Sequence, residues 1–213
     1  MYVAELWIYP VKSLAGERLE RTILTTDGVP GDRRLQVRDG EDRLMTARTR
    51  HRLLGLAATF DPATGEASVD DVPWRDPVAG AAVRAAAGDD ARLVEADGPG
   101  RFDDTPLLIA TDGAIAALGV DGRRLRPNLV IGGVEGLAER SWPGRRLRVG
   151  SAVLELEKLC KRCVMTTIDP DTLAVSPDVL RRINDDFDSR FALNCRIAEP
   201  GPVAVGDPVE LLD

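Results

Sequence analysis

The chain has 213 residues, with three cysteines, one histidine and a formal net charge of −7 at pH 7. A chain of this length buries about 70% of its unfolded surface, so it can build a core without disulfides, and three cysteines are too few for a secreted disulfide framework. Spread carboxylates without a concentrated basic face argue against nucleic-acid binding, and no apolar run reaches the ~20 residues of a membrane helix. We expect a protein of a reducing cytoplasm, with no membrane span and no nucleic-acid partner.

Short β-strands are predicted through the first half of the chain. "YVAELWIYPVKSL" alternates β-branched and aromatic residues until Pro10, which cannot donate to a strand ladder. "GERLERTILTTDGVPGDRRLQVRD" adds two short strands around a turn from Asp27 to Gly31. "LMTARTRHRLLGLAATF", "GEASVDD" and "AAVRAAAGDDARLVEAD" follow with turn signals about every ten residues, which is typical of a sheet-rich barrel or sandwich.

The second half has two predicted helices among strands. The composition changes at "DGPGRFDD", which indicates a boundary near residues 96–104. "PLLIATDGAIAALG" predicts a buried strand and then a helix with Asp112 as its N-cap and Gly119 at its end, and "SPDVLRRINDDFD" predicts a helix capped by Ser176. "LRPNLVIGG", "RRLRVGSAVLELEKL" and "RCVMTTID" are strand-like, and "FALNCRIAEPG" and "VAVGDPVELLD" complete the sheet.

The stretch "KLCKRCVMTTIDPDT" contains two cysteines in a C-x-x-C spacing, which has several readings. A structural zinc site needs four ligands, and the chain could supply them only by using Cys160, Cys163, Cys195 and His51 together. A thioredoxin-type dithiol needs its first cysteine at a helix N-terminus, whereas "VMTTI" favours a strand. Both cysteines could also be small core residues, because free cysteine is among the most buried residue types.

A fourth reading is a single reactive thiolate at Cys163. Lys161 and Arg162 directly precede it, and adjacent cations favour the thiolate form that soft metals and electrophiles prefer. On a regular strand, Arg162 and Cys163 would face opposite sides of the sheet. A loop or bulge is therefore expected between Cys160 and Cys163.

Three other stretches place cations at or near turns and could contribute to an anion-binding site. They are "YPVKS" with Lys12 and Ser13, "GDRR" with Arg33 and Arg34, and "LRPN" with Arg126 and Asn128. Each is weak by itself, because an arginine on a solvated loop is usually a surface residue.

Seven stretches together resemble the MOSC-domain proteins, in particular the group of the amidoxime-reducing components and their bacterial relatives. They are "YPVKSLAGERL", "GVPGDRRLQV", "TAR", "LRPNLVI", "SWPGRRLRVG", "CKRCVMTTIDPDT" and "VAVGDPVELL", and they cover nearly the whole chain. The resemblance implies an α+β, predominantly antiparallel β fold of two barrel-like β-rich domains with a few short helices. The expected domains are an N-terminal MOSC β-barrel domain, residues 1–98, and the MOSC domain, residues 99–213.

The resemblance also implies a molybdenum cofactor, a pterin dithiolene that carries a phosphate and whose metal is ligated by one cysteine. By position, that catalytic and metal-binding cysteine is Cys163. The residues that match the cofactor-binding positions or directly precede the ligand are Lys12, Ser13, Arg33, Arg126, Lys161 and Arg162. Thr105 and Asn194 lie near positions that line the family's pocket. Cys160 is expected either to support the residues that hold the metal or to be structural, and Cys195 is expected to be core.

The function implied is a molybdenum-dependent reductase of small N-hydroxylated substrates, such as amidoximes or N-hydroxylated bases. Because the chain ends at "ELLD" without the iron–sulfur domain of some relatives, we expect electrons from a separate electron-transfer protein. Asp169 is a candidate for proton delivery, with turn formation as the alternative. Two other functions stay open: a sulfur carrier with a persulfide on Cys163, and a metal-free binding module in which the cysteines are only packed.

Overall fold

The computed structural model describes residues 1–96 and 98–213, in which strands dominate and three α-helices occur. The strands are β1 (Tyr2–Ile8), β2 (Glu17–Leu19), β3 (Arg21–Leu24), β4 (Leu35–Arg38), β5 (Leu44–Met45), β6 (Ala58–Asp61), β7 (Glu66–Val69), β8 (Val72–Pro73), β9 (Arg92–Glu95), β10 (Leu107–Thr111), β11 (Leu129–Gly132), β12 (Arg146–Val149), β13 (Ala152–Lys161), β14 (Arg190–Glu199), β15 (Gly201–Ala204) and β16 (Val209–Leu212). The helices are α1 (Pro77–Ala87), α2 (Asp112–Leu118) and α3 (Pro177–Asp186).

The largest sheet has eight strands in the order β16-β12-β13-β14-β10-β11-β1-β2. Its pairings are antiparallel except for β10 with β11, which are parallel because α2 and a 3₁₀ turn form the crossover between them. The first two strands of the chain thus complete a sheet whose other strands come from the second half.

Three smaller sheets complete the described structure: β15-β3, β5-β4-β9 and β6-β7-β8, all antiparallel. The prediction of a mostly antiparallel β fold with a few short helices is confirmed. Among the pairings of residues 1–96 and 98–213, no ladder joins the outer strands β2 and β16 into a closed barrel. The two barrel-like domains therefore stay a prediction, as does the boundary between residues 98 and 99.

Helix α1 corrects the reading of "AAVRAAAGDDARLVEAD" as sheet segments, since Arg92–Glu95 is the one strand among its described residues, 81–96, and residue 97 lies outside them. Asp76 caps the helix by accepting a hydrogen bond from the Val78 amide at 2.8 Å, and proline occupies the first helical turn. Alanine, the best helix former, fills much of the remainder, and this local preference outweighs the turn spacing that suggested strands.

The two predicted helices are present with small differences at their caps. Thr111 rather than Asp112 is the N-cap of α2, because its Oγ1 accepts from the Ala114 amide at 3.2 Å, and Gly119 ends the helix in the left-handed conformation. Ser176 precedes α3, but its side chain makes no capping hydrogen bond with a described residue.

The strand expected at "RCVMTTID" is wrong: Val164–Thr167 form a 3₁₀ helix. The Thr166 and Thr167 hydroxyls donate to the carbonyls of Cys163 and Val164, at 2.9 and 2.7 Å. Threonine side chains can satisfy local backbone groups in this way and so compete with a strand ladder. The turn places Cys163 just beyond the end of β13.

Buried apolar residues form three clusters, and one of them anchors the turn after Cys163. The cluster around the largest sheet contains residues of both halves, such as Leu6 and Leu193. A second cluster belongs mainly to the first half but includes Ile168, which is 1% exposed. The Cys163 turn is therefore packed against the N-terminal part of the fold. No helix in the described residues is long and apolar enough to cross a membrane.

Candidate functional site

A cavity of about 310 Å³ lies where the end of β13 faces the loop after β1. Its volume falls in the range of about 300–1,000 Å³ that is usual for small-molecule and cofactor sites. The sequence-predicted site residues that line it are Lys12, Ser13, Arg33, Arg126, Lys161, Arg162 and Cys163. The structure thus brings all seven together.

Cys163 is partly exposed on the wall of this cavity. The register of β13 against β14 shifts between Leu159 and Lys161, so the bulge predicted from the sequence lies just before the thiol. Arg48 lies beside the side chain of Cys163, and this interaction raises the pKa of Arg48 above its ordinary value. Arg48 lies in the "TAR" stretch, but its contact with the thiol was not anticipated.

Arg162 lines the cavity next to Cys163 and is held by hydrogen bonds to neighbouring groups. Its Nη1 donates to the Cys160 sulfur at 3.2 Å and its Nη2 donates to the Leu125 carbonyl at 2.7 Å, while its buried Nε has no partner among the described residues. An unpaired buried donor is costly, so an acceptor that reached this Nε would gain a hydrogen bond. Lys161 is exposed and lines the rim.

Lys12 and Ser13 enter the cavity from the loop after β1. The Lys12 side chain is almost completely buried, and its ammonium donates to the Arg101 carbonyl at 3.1 Å and pairs with Asp103 at 2.7 Å. Ser13 is buried with a φ of 75°, in the left-handed region that non-glycine residues rarely adopt. Such conformations are concentrated at ligand sites, where the surrounding structure holds them.

Arg33 and Arg126 both contact the ring of Tyr9. Their guanidinium carbons lie 4.9 and 4.1 Å from the ring centroid, a geometry of cation–π attraction. Burial raises the pKa of the Tyr9 phenol to about 12 and lowers the pKa of Arg126 to about 10. The Tyr9 hydroxyl donates to the Pro127 carbonyl at 3.1 Å, and Arg126 Nη1 donates to the Leu14 carbonyl at 2.7 Å.

Asp32, whose side chain is fully buried, holds Tyr9 and Arg33 in position. Its Oδ1 accepts from the Tyr9 amide at 2.8 Å, and its Oδ2 accepts from Asn128 Nδ2 at 3.2 Å and from the Arg33 guanidinium. One carboxylate thus orients elements of the "YPVKS", "GDRR" and "LRPN" stretches. Sequence reasoning missed both Tyr9 and Asp32, whose only signal was their place inside those stretches.

Cationic side chains dominate the cavity wall. Among residues 1–96 and 98–213, seven cations and two carboxylates line it, and Arg124 is one that sequence reasoning missed. The cations are Lys12, Arg33, Arg48, Arg124, Arg126, Lys161 and Arg162, and the acids are Asp103 and Asp104. Arginine forks suit phosphate oxygens, and a thiolate suits a soft metal. This donor set fits a molybdenum cofactor, with one sulfur for the metal and cations for the phosphate and polar pterin atoms.

The other sequence candidates lie as follows. Thr105 and Asn194 line the cavity, as does Cys160, whereas Cys195 is fully buried in the core and burial raises the pKa of its thiol. No group of three or more histidine, cysteine and carboxylate side chains within the described ranges could hold a metal ion. A four-ligand zinc site therefore has no support in those residues.

Asp169 forms the turn that was the alternative to proton delivery. Its Oδ1 accepts from the amides of Asp171 and Thr172 and from the Thr172 hydroxyl, and its Oδ2 pairs with Arg124 at 2.8 Å. Hydrogen bonds from the Thr172 amide and hydroxyl are the main cause that lowers its pKa to about 2. At neutral pH this carboxylate is ionised and has no proton to deliver.

Comparison with known proteins gave two family matches. The model described as "MOSC N-terminal beta barrel domain" matches residues 1–114, and the model described as "MOSC domain" matches residues 109–210. Human mitochondrial amidoxime-reducing component 1 is 28% identical over 99% of this chain and 82% of its own length, and mitochondrial amidoxime reducing component 2 of Macaca fascicularis is 26% identical over 97% and 82%. Among solved structures, the YUAD protein from Bacillus subtilis matches 98% of this chain and 93% of its own at 15% identity, with a TM-score of 0.49.

Proposed function

We propose, on the premise that this chain belongs to the MOSC family, that it is a molybdenum-cofactor-dependent oxidoreductase that reduces small N-hydroxylated compounds such as amidoximes. Relatives that match nearly its whole length carry the name amidoxime-reducing component. The observation that carries the proposal is that Cys163, at the position of the family's metal ligand, meets a strongly cationic wall in a cavity of about 310 Å³.

In this proposal Cys163 is the protein ligand of molybdenum. When bound, the cofactor supplies the two-electron chemistry that removes oxygen from the substrate nitrogen. Arg33 and Arg126 hold the pterin and phosphate from the Tyr9 side of the cavity, together with Lys12, Ser13, Lys161 and Arg162. Because such side chains act as bidentate or point donors, they fix the orientation of an anionic ligand in a protein whose net charge is −7.

The surroundings of these side chains hold them in place before a ligand binds. Asp32 and the Tyr9 ring fix the guanidinium of Arg33, and the Leu14 carbonyl fixes that of Arg126. Asp103 holds the Arg48 guanidinium, which lies beside the Cys163 side chain. Preorganised donors lose little conformational entropy on binding, which favours retention of a large cofactor.

Several finer points belong to the same proposal. Electrons would come from a separate electron-transfer protein, and the protein would act in the cytoplasm. Residues 1–98 would form the barrel-like N-terminal domain and residues 99–213 the MOSC domain. The way in which strands β1 and β2 complete the sheet of the second half favours two closely joined units, with the cavity drawing on both.

Metal analysis of the full chain tests the proposal. We expect a molar equivalent of molybdenum in protein purified anaerobically, complete loss of molybdenum in Cys163→Ala, and retention in Cys160→Ala, the matched control on the same cavity wall. Equal loss in both variants, measured on folded protein, would contradict the assignment of Cys163. Labile sulfur without metal would instead favour the sulfur carrier.

Activity provides the second test. The molybdenum-loaded protein should reduce a simple aromatic amidoxime to the amidine with a chemical reductant in place of the electron partner. Cys160→Ala should keep this activity, since in the proposal Cys163 alone is the metal ligand, and the Cys160 sulfur accepts a hydrogen bond from Arg162. Metal-loaded protein that leaves every N-hydroxylated compound unchanged would refute the substrate class but not the cofactor.

A further inference from the structure

Asp103 bridges two cations of the cavity. Its Oδ1 lies 2.7 Å from the Lys12 ammonium, and its Oδ2 accepts from Arg48 Nη2 at 2.6 Å. The two oxygens of one carboxylate are therefore divided between a lysine that follows β1 and an arginine that follows β5. Two oxygens shared between a point cation and an arginine fork is also the way in which proteins hold a phosphate.

The bridge is charged at neutral pH. Burial opposes ionisation of Asp103, but the hydrogen bond and charge of Lys12 and the charge of Arg48 outweigh it and hold the pKa of the carboxyl below its ordinary value. The Lys12 side chain is 10% exposed, and a buried ammonium without a partner would be costly. A cavity without an anionic ligand thus needs a counter-anion from the protein.

Asp104, the next residue, has different partners. Its Oδ2 pairs with Lys158 at 2.9 Å and accepts from Asn194 Nδ2 at 2.8 Å. Both carboxylates line the cavity, so they contribute equal charge to it. Of these two carboxylates, Asp103 is the one that pairs with both Lys12 and Arg48.

The surroundings of Asp103 allow its side chain to be replaced by another anion. Arg101, two residues earlier, is buried, donates to the Asp27 carbonyl at 2.8 Å and accepts from Lys12 through its own carbonyl. The Asp103 side chain, in contrast, is 57% exposed. It can rotate toward solvent while Arg101 and Lys12 stay in place.

We propose that Lys12 and Arg48 form an oxyanion clamp, and that Asp103 is its built-in counter-anion, which a phosphate group displaces on binding. The proposal rests on the proposed function only for the natural ligand, which would be the phosphate of the pterin cofactor. The clamp itself is a property of the chain without metal. Displacement breaks two ion pairs that are partly open to solvent, so Asp103 should weaken phosphate binding by about 2- to 30-fold.

Calorimetric titration with inorganic phosphate tests the clamp. The full chain is produced in cells that cannot make the pterin cofactor and titrated at constant ionic strength, with chloride as the balancing anion. Asp103→Asn should bind phosphate about 2- to 30-fold more tightly than Asp104→Asn, the control that removes the same charge from the same cavity. Arg48→Gln in the Asp103→Asn background should abolish the gain.

Equal affinities of the two asparagine variants would overturn the proposal, because net charge alone would then explain any gain. A gain that survives Arg48→Gln, or no binding of phosphate to any form, would overturn it too. A second measurement uses the wild-type chain: saturating phosphate should shift the carboxyl carbon resonance of Asp103 more than that of Asp104, and an unchanged Asp103 signal would refute displacement. None of these readouts depends on molybdenum, so they separate the clamp from the proposed function.

Discussion

Replacement of Asp32 by asparagine should destabilise the protein far more than an isosteric change usually does. Asparagine keeps the shape of the side chain, and its oxygen can still accept from the Tyr9 amide, which lies 2.8 Å from Oδ1 in the wild type. In the wild type, Asp32 Oδ2 accepts hydrogen bonds from Asn128 Nδ2 and from the Arg33 guanidinium. The Nδ2 of the new asparagine would face these same two donors. Two hydrogen bonds would become donor–donor contacts.

The magnitude follows from burial. Asp32 is fully buried, and the Arg33 side chain is 15% exposed, so solvent can replace the lost partner of Arg33 only in part. Removing one partner of a buried pair costs about 3–5 kcal/mol, and partial solvent access to Arg33 favours the lower end of this range. We expect the free energy of unfolding to fall by about 3–4 kcal/mol, which agrees with the loss of two hydrogen bonds to a charged group at about 1.5–3 kcal/mol each.

Urea unfolding followed by tryptophan fluorescence measures this loss. The matched control is Asp42→Asn, which breaks the exposed pairs of Asp42 with Arg38 at 3.2 Å and Arg92 at 2.5 Å. Exposed pairs contribute about 0–1 kcal/mol each, so the control should lose little stability. A loss below about 1 kcal/mol for Asp32→Asn, or one equal to the control, would refute the view that this carboxylate holds the cavity wall together.

Two further predictions concern acid groups whose pKa the fold shifts. Because the pKa of Asp169 is lowered from its ordinary 3.8 to about 2, its charge stabilises the fold above about pH 4, and this contribution is lost as the pH falls toward 2. The difference in urea midpoint between wild type and Asp169→Asn should shrink between pH 6 and pH 2.5, and a constant difference would contradict this sign. Cys195 is fully buried and its thiol pKa is raised by burial, so iodoacetamide should modify Cys160 and Cys163 in the native protein but Cys195 only after unfolding, as peptide mass spectrometry would show. Modification of Cys195 at the native rate of Cys160 would refute its burial.

The sequence pattern predicted the strands better than the turns, for a physical reason. Alternation of apolar residues identified β1, and a continuous apolar run identified β10, because each buries a sheet face. The helix α1 was missed since turn spacing was weighed above the alanine content, and "VMTT" was read as a strand although threonine hydroxyls bond locally there. In both cases a local preference outweighed the periodic pattern.

The site shows where sequence reasoning reaches its limit. Short motifs nominated Lys12, Arg33, Arg126 and Cys163, because the sequence shows directly that a cation lies in a turn or that a thiol follows two cations. No local pattern distinguishes Arg48, which reaches the cavity only through the fold of the N-terminal half.

Pairings between distant segments decide which cations are available to a ligand. Arg126 Nη1 is bonded to the Leu14 carbonyl, 112 residues away, and Lys12 Nζ is bonded to the Arg101 carbonyl, 89 residues away. The same lysine pairs with Asp103, a residue that composition alone would count against an anion site. Charge counted along the chain therefore cannot tell a counter-anion from a repulsive neighbour. A carboxylate acts as a counter-anion when it lies between two cations and can leave, as in the proposal for Asp103. Asp104 instead pairs with Lys158, outside the clamp.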